Sequence, residues 1–559
     1  MIISTSLLLL ATPISAQTVG GAFQEDFYFH GSSGQQLGFS VAIAGDTNGD
    51  GHDDLLVGAR FNAPGGLTDA GSVMLYSGQY GTLLHQWDGA AASNLLGTSV
   101  AGVGDLNGDG FADVLMGATG ASPGGMAGAG SVYVYSGLDG SLIMQLDGAA
   151  AGDGFGHSCA AAGDINADTT GDFIIGAPFS DPGGNSWAGT ASVYSGADGI
   201  LLHEWHGSAA LDNLGWSVAG AGDLNNDGTT DLITGAPLAS PGGVARAGSV
   251  FAYSGTTGAL LHQWDGAAMD DRVGRGVDGV GDLDADGFDD VVVGASVASP
   301  GGLLNAGSAF VYSGNTGALL LQWDGNDAGG NLGEAVAGAG DVNLDGTPDV
   351  LVGAPLTDAN GRTANGSVFI YSGVDGSLLH REDGALDFIQ FGGALDGGGN
   401  VSPNGYADHI VGIRGQGSGS GAAAVYGFNP FLSASADTLS ASGVNLIALE
   451  FDFGQLLGYS NYRLLVSASD SSTFHFGVEI PLLLDGRVLR SYYGDYFSLL
   501  NSGLQGTLSS DGKAVGTIGV MPNTLTPFVG RTFYMAAIVD SAFGLPEASS
   551  IALPITITP

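Results

Sequence analysis

The sequence predicts an all-β chain in which a seven-bladed β-propeller is followed by a β-sandwich-like domain. Three observations carry this prediction. Asp46, Asp105, Asp164, Asp223, Asp282 and Asp341 follow one another at a constant step of 59 residues, and the next step lands on Asn400 in a decayed seventh copy. A full copy holds four short apolar runs parted by Gly, Pro, Asn or Asp turns. Gly contributes 101 of 559 residues while charged residues make up only 12%, the composition of a turn-rich β protein and not of a helical one. A fixed period of this length signals stacked supersecondary units, and four strands per unit repeated seven times fit a closed propeller.

The chain opens with MIISTSLLLLATPISAQ, an apolar stretch followed by small residues up to Ala16. Residues 1–16 are expected to be a secretory signal peptide, too short to span a bilayer. The propeller is expected over 17–430. In its second copy the four runs are TSVAGVG, DVLMGA, SVYVYSG and SLIMQLDG. The first is small-sided, which suits an innermost position where seven strands converge. The Trp-bearing run LLHQW would be outermost, its ring covering a neighbouring blade. The seventh copy ends at AAAVYGF (422–428) with no such run after it, whereas FQEDFYFHG (23–31) stands before the first copy. That N-terminal segment is expected to supply the outer strand of the last blade and latch the ring. From 431 to 559 the repeat stops. There VNLIALEFDF, YRLLVSASD and RTFYMAAIVD read as strands of a β-sandwich-like domain that carries no catalytic motif.

The repeat resembles the FG-GAP family, whose copies form the propeller of integrin alpha subunits. FG-type starts stand at LGFSVA (37–42), FGHSCA (155–160) and LGWSVA (214–219), and GAP-type ends at IGAP (175–178), TGAP (234–237) and VGAP (352–355). GSVYVYSG (130–137) follows in the family manner. Between start and end lies an acidic loop such as DLNGDGFAD. The resemblance implies that this loop binds Ca2+ between the first and second strands of a blade. Its chemistry agrees: a hard cation needs about six to eight oxygens from a tightly folded chain. Positions 1, 3, 5 and 9 carry side-chain oxygens, position 7 offers a carbonyl, and Gly at position 6 lets the backbone turn.

The candidate ligands are accordingly Asp46, Asn48, Asp50, His52 and Asp54 in the first blade, and Asp105, Asn107, Asp109, Phe111 and Asp113 in the second. The third has Asp164, Asn166, Asp168, Thr170 and Asp172, with Thr169 in place of the turn Gly. The fourth has Asp223, Asn225, Asp227, Thr229 and Asp231; the fifth, with four carboxylates and the tightest expected binding, has Asp282, Asp284, Asp286, Phe288 and Asp290. The sixth has Asp341, Asn343, Asp345, Thr347 and Asp349. The seventh, Asn400, Ser402, Asn404 and Asp408, keeps one carboxylate and is expected to be metal-free. A single DxNxDG match is no more than an Asx-rich turn. Six in phase, each closed by Asp, point to Ca2+ at up to six sites.

Other tempting residues read as structure. His85, His203, His262 and His380 share a repeat position with Met144 and Leu321, so that position is packing. Cys159 aligns with Val41, Val100, Val218 and Val277 and is expected to be a buried thiol. No nucleophile motif, phosphate loop or zinc spacing is present, so the chain is expected not to be an enzyme. With a net charge of −44 and no Lys before Lys513, no basic face exists for nucleic acid or anionic lipid. Departures from the repeat gather on the side opposite the acidic loops, at Trp187, Arg246, Arg272 and Arg362 among others. By the integrin resemblance that side would take ligand. The expected function is a secreted or cell-surface adhesion module binding an extracellular protein or glycan. A lectin-like propeller or the accessory propeller of a secreted hydrolase are the alternatives.

Overall fold

The computed structural model describes residues 22–402, 406–415 and 419–429, with side chains from Glu25 to Gly427, and beyond them the backbone of strands between 433 and 558. Seven four-stranded antiparallel sheets close into a propeller. Six of them take their strands in simple chain order, inner to outer. In the second blade these are Leu96–Gly104, Asp113–Ala118, Ser131–Tyr135 and Leu142–Asp147. The inner strands touch one another around the axis, and the seventh, Phe391–Gly399, returns to the first, Leu37–Gly45. In the seventh sheet the outermost strand is Ala22–His30, paired with Ala422–Asn429. Among the described residues the only helical turns are short 3-10 segments such as Pro64–Gly66.

Burial follows from the layering. Second strands such as DVLMGA and DFIIGA are buried at all six positions, because a neighbouring blade covers each face. They therefore read as unbroken apolar runs, whereas outer strands alternate between half-buried and exposed positions. The FG and GA glycines meet across the blade boundary. A Cβ on Gly176 would lie 2.0 Å from the Gly215 carbonyl oxygen of the next blade, and Gly235 stands in the same relation to Gly274 at 2.1 Å. Ser158 Oγ donates to that same Gly215 oxygen at 3.0 Å. The repeat's small residues are thus the seam between blades.

The aromatic series seals the rim. Trp87, Trp205, Trp264 and Trp323 each donate Nε1–H to a carbonyl of the following blade, at Gly140, Gly258, Gly317 and Gly376, over 2.8 to 3.1 Å. Each also lies against a tyrosine there, Trp205 on Tyr253 at 4.3 Å and Trp323 on Tyr371 at 4.5 Å. His203 and His262 likewise reach carbonyls of the next blade, at Gly255 and Gly314.

The chain divides into two compact units close to Gly427. In the second, Ser433–Ala434, Asn445–Asp452 and Lys513–Val520 form one sheet. A larger sheet is built around Asn461–Ala468 and Thr532–Asp540. The packing of these sheets on each other, on which a sandwich depends, lies outside the described side chains, as does the expected signal peptide over 1–16.

Candidate metal-binding loops

Each acidic loop joins an inner strand to a second strand, so one face of the ring collects them all. The second blade shows how the sequence shapes the loop. Asp105 turns its carboxylate back into the loop and accepts from the Gly108, Asp109 and Gly110 amides at 2.7, 3.1 and 2.8 Å. Asn107 Oδ1 accepts from the Asp109 amide at 2.8 Å, and Asp109 Oδ1 from the Phe111 amide at 3.0 Å. Asp113, first residue of the second strand and fully buried, accepts from the Leu106 amide at 2.9 Å. Successive short acidic or amide side chains, each caught by an amide two to five residues on, are what hold the chain in a tight coil.

The same bonds recur elsewhere. Gly51, Gly228, Gly287 and Gly346 donate to the first aspartate of their loops at 2.8 to 2.9 Å. Thr169 occupies that position in the third blade and donates to Asp164 at 2.8 Å, but it does so at a φ of 77°, left-handed backbone that a β-branched residue tolerates poorly. The third loop therefore keeps the shape of its sisters under strain. In the seventh blade Ser402 takes up Asp408 through its amide and hydroxyl, while Asn404 lies outside the described residues.

The donor set of the fifth blade, where position 3 is a carboxylate and not an amide, suits a hard divalent cation. Asp282, Asp284 and Asp290 each offer an oxygen within 4.8 Å of the others. Oxygens held at about 2.3–2.6 Å from one ion lie within about 5 Å of each other, so this spacing needs little rearrangement. Electrostatics favours a cation too. Burial pushes the closing carboxyls up, to about 6 at Asp113 and Asp290 and about 7 at Asp231, and neighbouring loop carboxylates add to the rise. Asp284 is raised by burial and by Asp286 beside it.

Two sets of supporting residues are not evident from the loop motif alone. The YSG triplet of the same blade closes over the loop. Ser77, Ser136 and Ser195 hydroxyls each lie 3.4 Å from Asp50, Asp109 and Asp168, and the following Gly78, Gly137 and Gly196 amides donate to Asp54, Asp113 and Asp172. The constant phase of YSG against the loop was the available signal. Neighbouring loops are also tied together. The Ala112 amide donates to the Asp46 carbonyl of the previous blade at 3.1 Å, and Asp289 and Asp223 bond each other in both directions. Asp53 and Asn400 do the same across the closing seam.

Of the residues singled out away from the loops, Arg246 and Arg272 are neighbours and the other two stand in different blades. Trp187 is half-exposed and packs edge-on against Phe179 at 5.9 Å. Arg246 forms a fork with Asp270, at 2.6 Å from Nε and 3.0 Å from Nη2, and the Arg272 amide donates to the Arg246 carbonyl. Arg362 stands exposed in the sixth blade.

A protein-family model described as FG-GAP repeat matches residues 37–76, 96–135, 155–194, 214–253 and 332–371. The fifth blade, where the start reads VGRGVD, falls outside those matches. The chain is similar to Integrin alpha-5 of Xenopus laevis, 33% identical over 218 residues that make up 36% of this chain and 20% of that one. It is similar to Integrin alpha-V of Gallus gallus, 32% identical over 230 residues, 39% of this chain and 22% of that one. Integrin alpha-8 of Mus musculus is 28% identical over 316 residues, half of this chain and 28% of that one. The match thus spans between a fifth and some three-tenths of these relatives' length. Among solved structures, a europium-containing methanol dehydrogenase covers 67% of this chain and 80% of its own at 10% identity, with a TM-score of 0.35, too low to bear on chemistry.

Proposed function

The chain carries an integrin-like FG-GAP propeller, and on that premise we propose that it is a secreted or cell-surface adhesion module, stiffened by Ca2+ and binding an extracellular protein. The observation that carries the reading is the repetition of one amide-cradled, carboxylate-lined loop around a single face of the ring. The five residues named for each of the first six blades would hold the ion, the fifth blade most tightly. A bound Ca2+ supplies the positive charge that the converging carboxylates lack. Since neighbouring loops are bonded to one another, an ion in one loop also restrains the next blade. The opposite face is then presented on a rigid ring, where irregular loops can bind.

Thermal unfolding of residues 17–559, stripped of metal and then titrated with calcium, tests this. A ligand that binds only the native state stabilises by about 2.7 kcal/mol per site at a hundredfold excess over Kd. Calcium should raise the melting temperature, and Asp105→Ala and Asp109→Ala should each remove part of the rise. An unchanged melting curve would reduce the loops to acidic turns. Magnesium at equal concentration should do less, because it demands a smaller octahedral site.

A further inference from the structure

The inner strands begin at the end of the ring away from the acidic loops, and the third residue of each FG-type start lies at or just before that strand's beginning, around the axis. Those positions hold Phe39, Thr98, His157, Trp216, Arg275, Glu334 and Gly393. Seven equivalent sites carry seven different residues, unlike the rest of the repeat. Two further arginines reach the same mouth. Arg60 and Arg414 each follow a second strand, in the first and seventh blades, and meet across the closing seam. The Arg60 guanidinium lies 3.6 Å from the centre of the Phe39 ring and that of Arg414 4.7 Å from the same ring. Arg275 lies 4.5 Å over Trp216, which also packs against His157 at 4.6 Å and edge-on against Phe179 at 6.2 Å. A Cβ on Gly393 would fall 2.9 Å from Arg414 Cδ, so glycine at that position makes the room Arg414 occupies.

The charges here do not balance. Glu334 is the one carboxylate among these groups, and it is spent. Its oxygens accept from Arg275 Nε and Nη2 at 2.9 to 3.2 Å and from Ser296 Oγ at 2.9 Å. Burial, the largest single influence, would raise its pKa, but Arg275, Arg414 and Ser296 together hold it low. Arg60 and Arg414 have no carboxylate in hydrogen-bonding contact, although the charge of Glu334 also acts on Arg414. No hydrogen bond to either occurs among the described residues, and the Nε of each is buried without an acceptor. Burial pulls both down to about 10, helped at Arg60 by the charge of Arg414; at Arg414 Glu334 counters it and Arg275 adds to it, and both stay charged at neutral pH. His157 is neutral, held at about 4 by burial and then by Arg275 and Arg60. Stacking on Phe39 satisfies the flat faces of the guanidinium groups and leaves their N–H edges free. Part-buried guanidinium groups whose Nε atoms have no acceptor are costly unless something pairs with them.

We propose that this axial mouth is a carboxylate-binding site, in which Arg60 and Arg414 take one carboxylate group presented by a protein partner while Phe39, Trp216 and His157 pack its apolar stem. The proposal rests on the binding-module reading and specifies its chemistry. A guanidinium pair matches a carboxylate in shape and charge-assisted hydrogen bonding. The surrounding negative field repels polyanions such as nucleic acid or acidic polysaccharide, so the partner presents a single Asp, Glu or chain terminus on an otherwise neutral or basic surface.

Calorimetric titration of the calcium-saturated protein with N-acetylphenylalanine, and with its amide, tests the site. The acid should bind saturably below about 10 mM and the amide at least tenfold more weakly. Arg60→Gln and Arg414→Gln should each weaken the acid about tenfold without lowering the melting temperature, since neither side chain loses a hydrogen bond. Arg381→Gln on an outer strand should leave binding as it was. No saturable binding of the acid, equal binding of acid and amide, or variants that bind as wild type would each overturn the site. Variants that melt several degrees lower would instead make the pair a brace for the seam. A failed titration beside an intact calcium response would sink this site alone, whereas a missing calcium response with retained carboxylate binding would sink the calcium reading alone.

Discussion

Thr169 shows how far one residue can depart from the repeat without breaking it. Its amide makes the bond that glycine makes in sister loops, and its side chain tolerates a left-handed φ to do so. Replacing Thr169 with Gly should therefore stabilise the protein by about 1 kcal/mol, read from the midpoint of denaturant unfolding, since strain of this kind costs of that order. A loss of stability would mean that threonine contributes packing that outweighs the strain. Cys159 is the opposite case. Burial pushes its thiol up to about 12, and its nearest polar neighbour is Ser99 Oγ, so it behaves as the small apolar residue its repeat position calls for. Asp278 and Asp396 are less quiet. They share a repeat position in the fifth and seventh blades and accept from the Gly338 and Ile43 amides of the next blade at 2.9 and 2.8 Å. Burial raises them to about 7 and about 6, and Asp396 adds to the rise at Asp278. Because the folded values lie above the ordinary carboxyl value, the folded state binds the extra protons. Their stabilising contribution is complete below about pH 4 and fades as pH rises to about 7. Metal-free protein should lose melting temperature between about pH 4 and pH 7, and Asp278→Asn with Asp396→Asn should flatten that slope. An unaltered slope would place the titration elsewhere.

At the scale of the strand, the small residues that name the motif act as contact points between blades. The Gly176 site has no room for a methyl group, because the obstacle is the backbone oxygen of Gly215 and not a movable side chain. Gly176→Ala should cost about 1–3 kcal/mol by forcing two blades apart. A neutral result in thermal melts would show that the inner strands slide freely, contrary to their serine-to-carbonyl bonds. The outer strand of the seventh blade is the other sensitive element. Phe29 on Ala22–His30 is buried and stacks at 4.1 Å on Tyr76 of the first blade, joining the last sheet to the first. Phe29→Ala should destabilise by about 3 kcal/mol or more, as truncation of a buried aromatic does. A change below about 1 kcal/mol would mean that the inner strands alone close the ring.

At the scale of the molecule, the ring separates two electrostatic tasks. One face gathers carboxylates in loops bonded to their neighbours, and the far mouth gathers arginines in a chain that has few. The proposed calcium response belongs to the first and the proposed carboxylate capture to the second, so the two can be measured apart. Long-range repulsion across a chain of −44 should make both salt-sensitive, because screening at physiological ionic strength acts over about 8 Å. No helix among the described residues is long and apolar enough to cross a membrane.

The seven-bladed all-β ring was legible in the sequence because its causes are local and periodic. Alternation of turn residues with apolar runs marks the strands, and the 59-residue beat marks the blades. The spacing of Asp105, Asn107, Asp109 and Asp113 was legible for the same reason: a tight loop is built from neighbours in sequence. The support of the loops by YSG serines, and the bonds between loops of adjacent blades, needed the fold to show which repeats touch. The arginine mouth was out of reach altogether. Arg60, Arg275 and Arg414 stand in different blades, at positions where the repeat holds other residues, and each alone looks like surface variation. Only ring closure brings the seventh blade against the first and sets two unpaired guanidinium groups on one phenylalanine. Periodicity specifies what every blade has in common, whereas charge gathered at the axis depends on how blades differ and on which of them the closed ring makes neighbours.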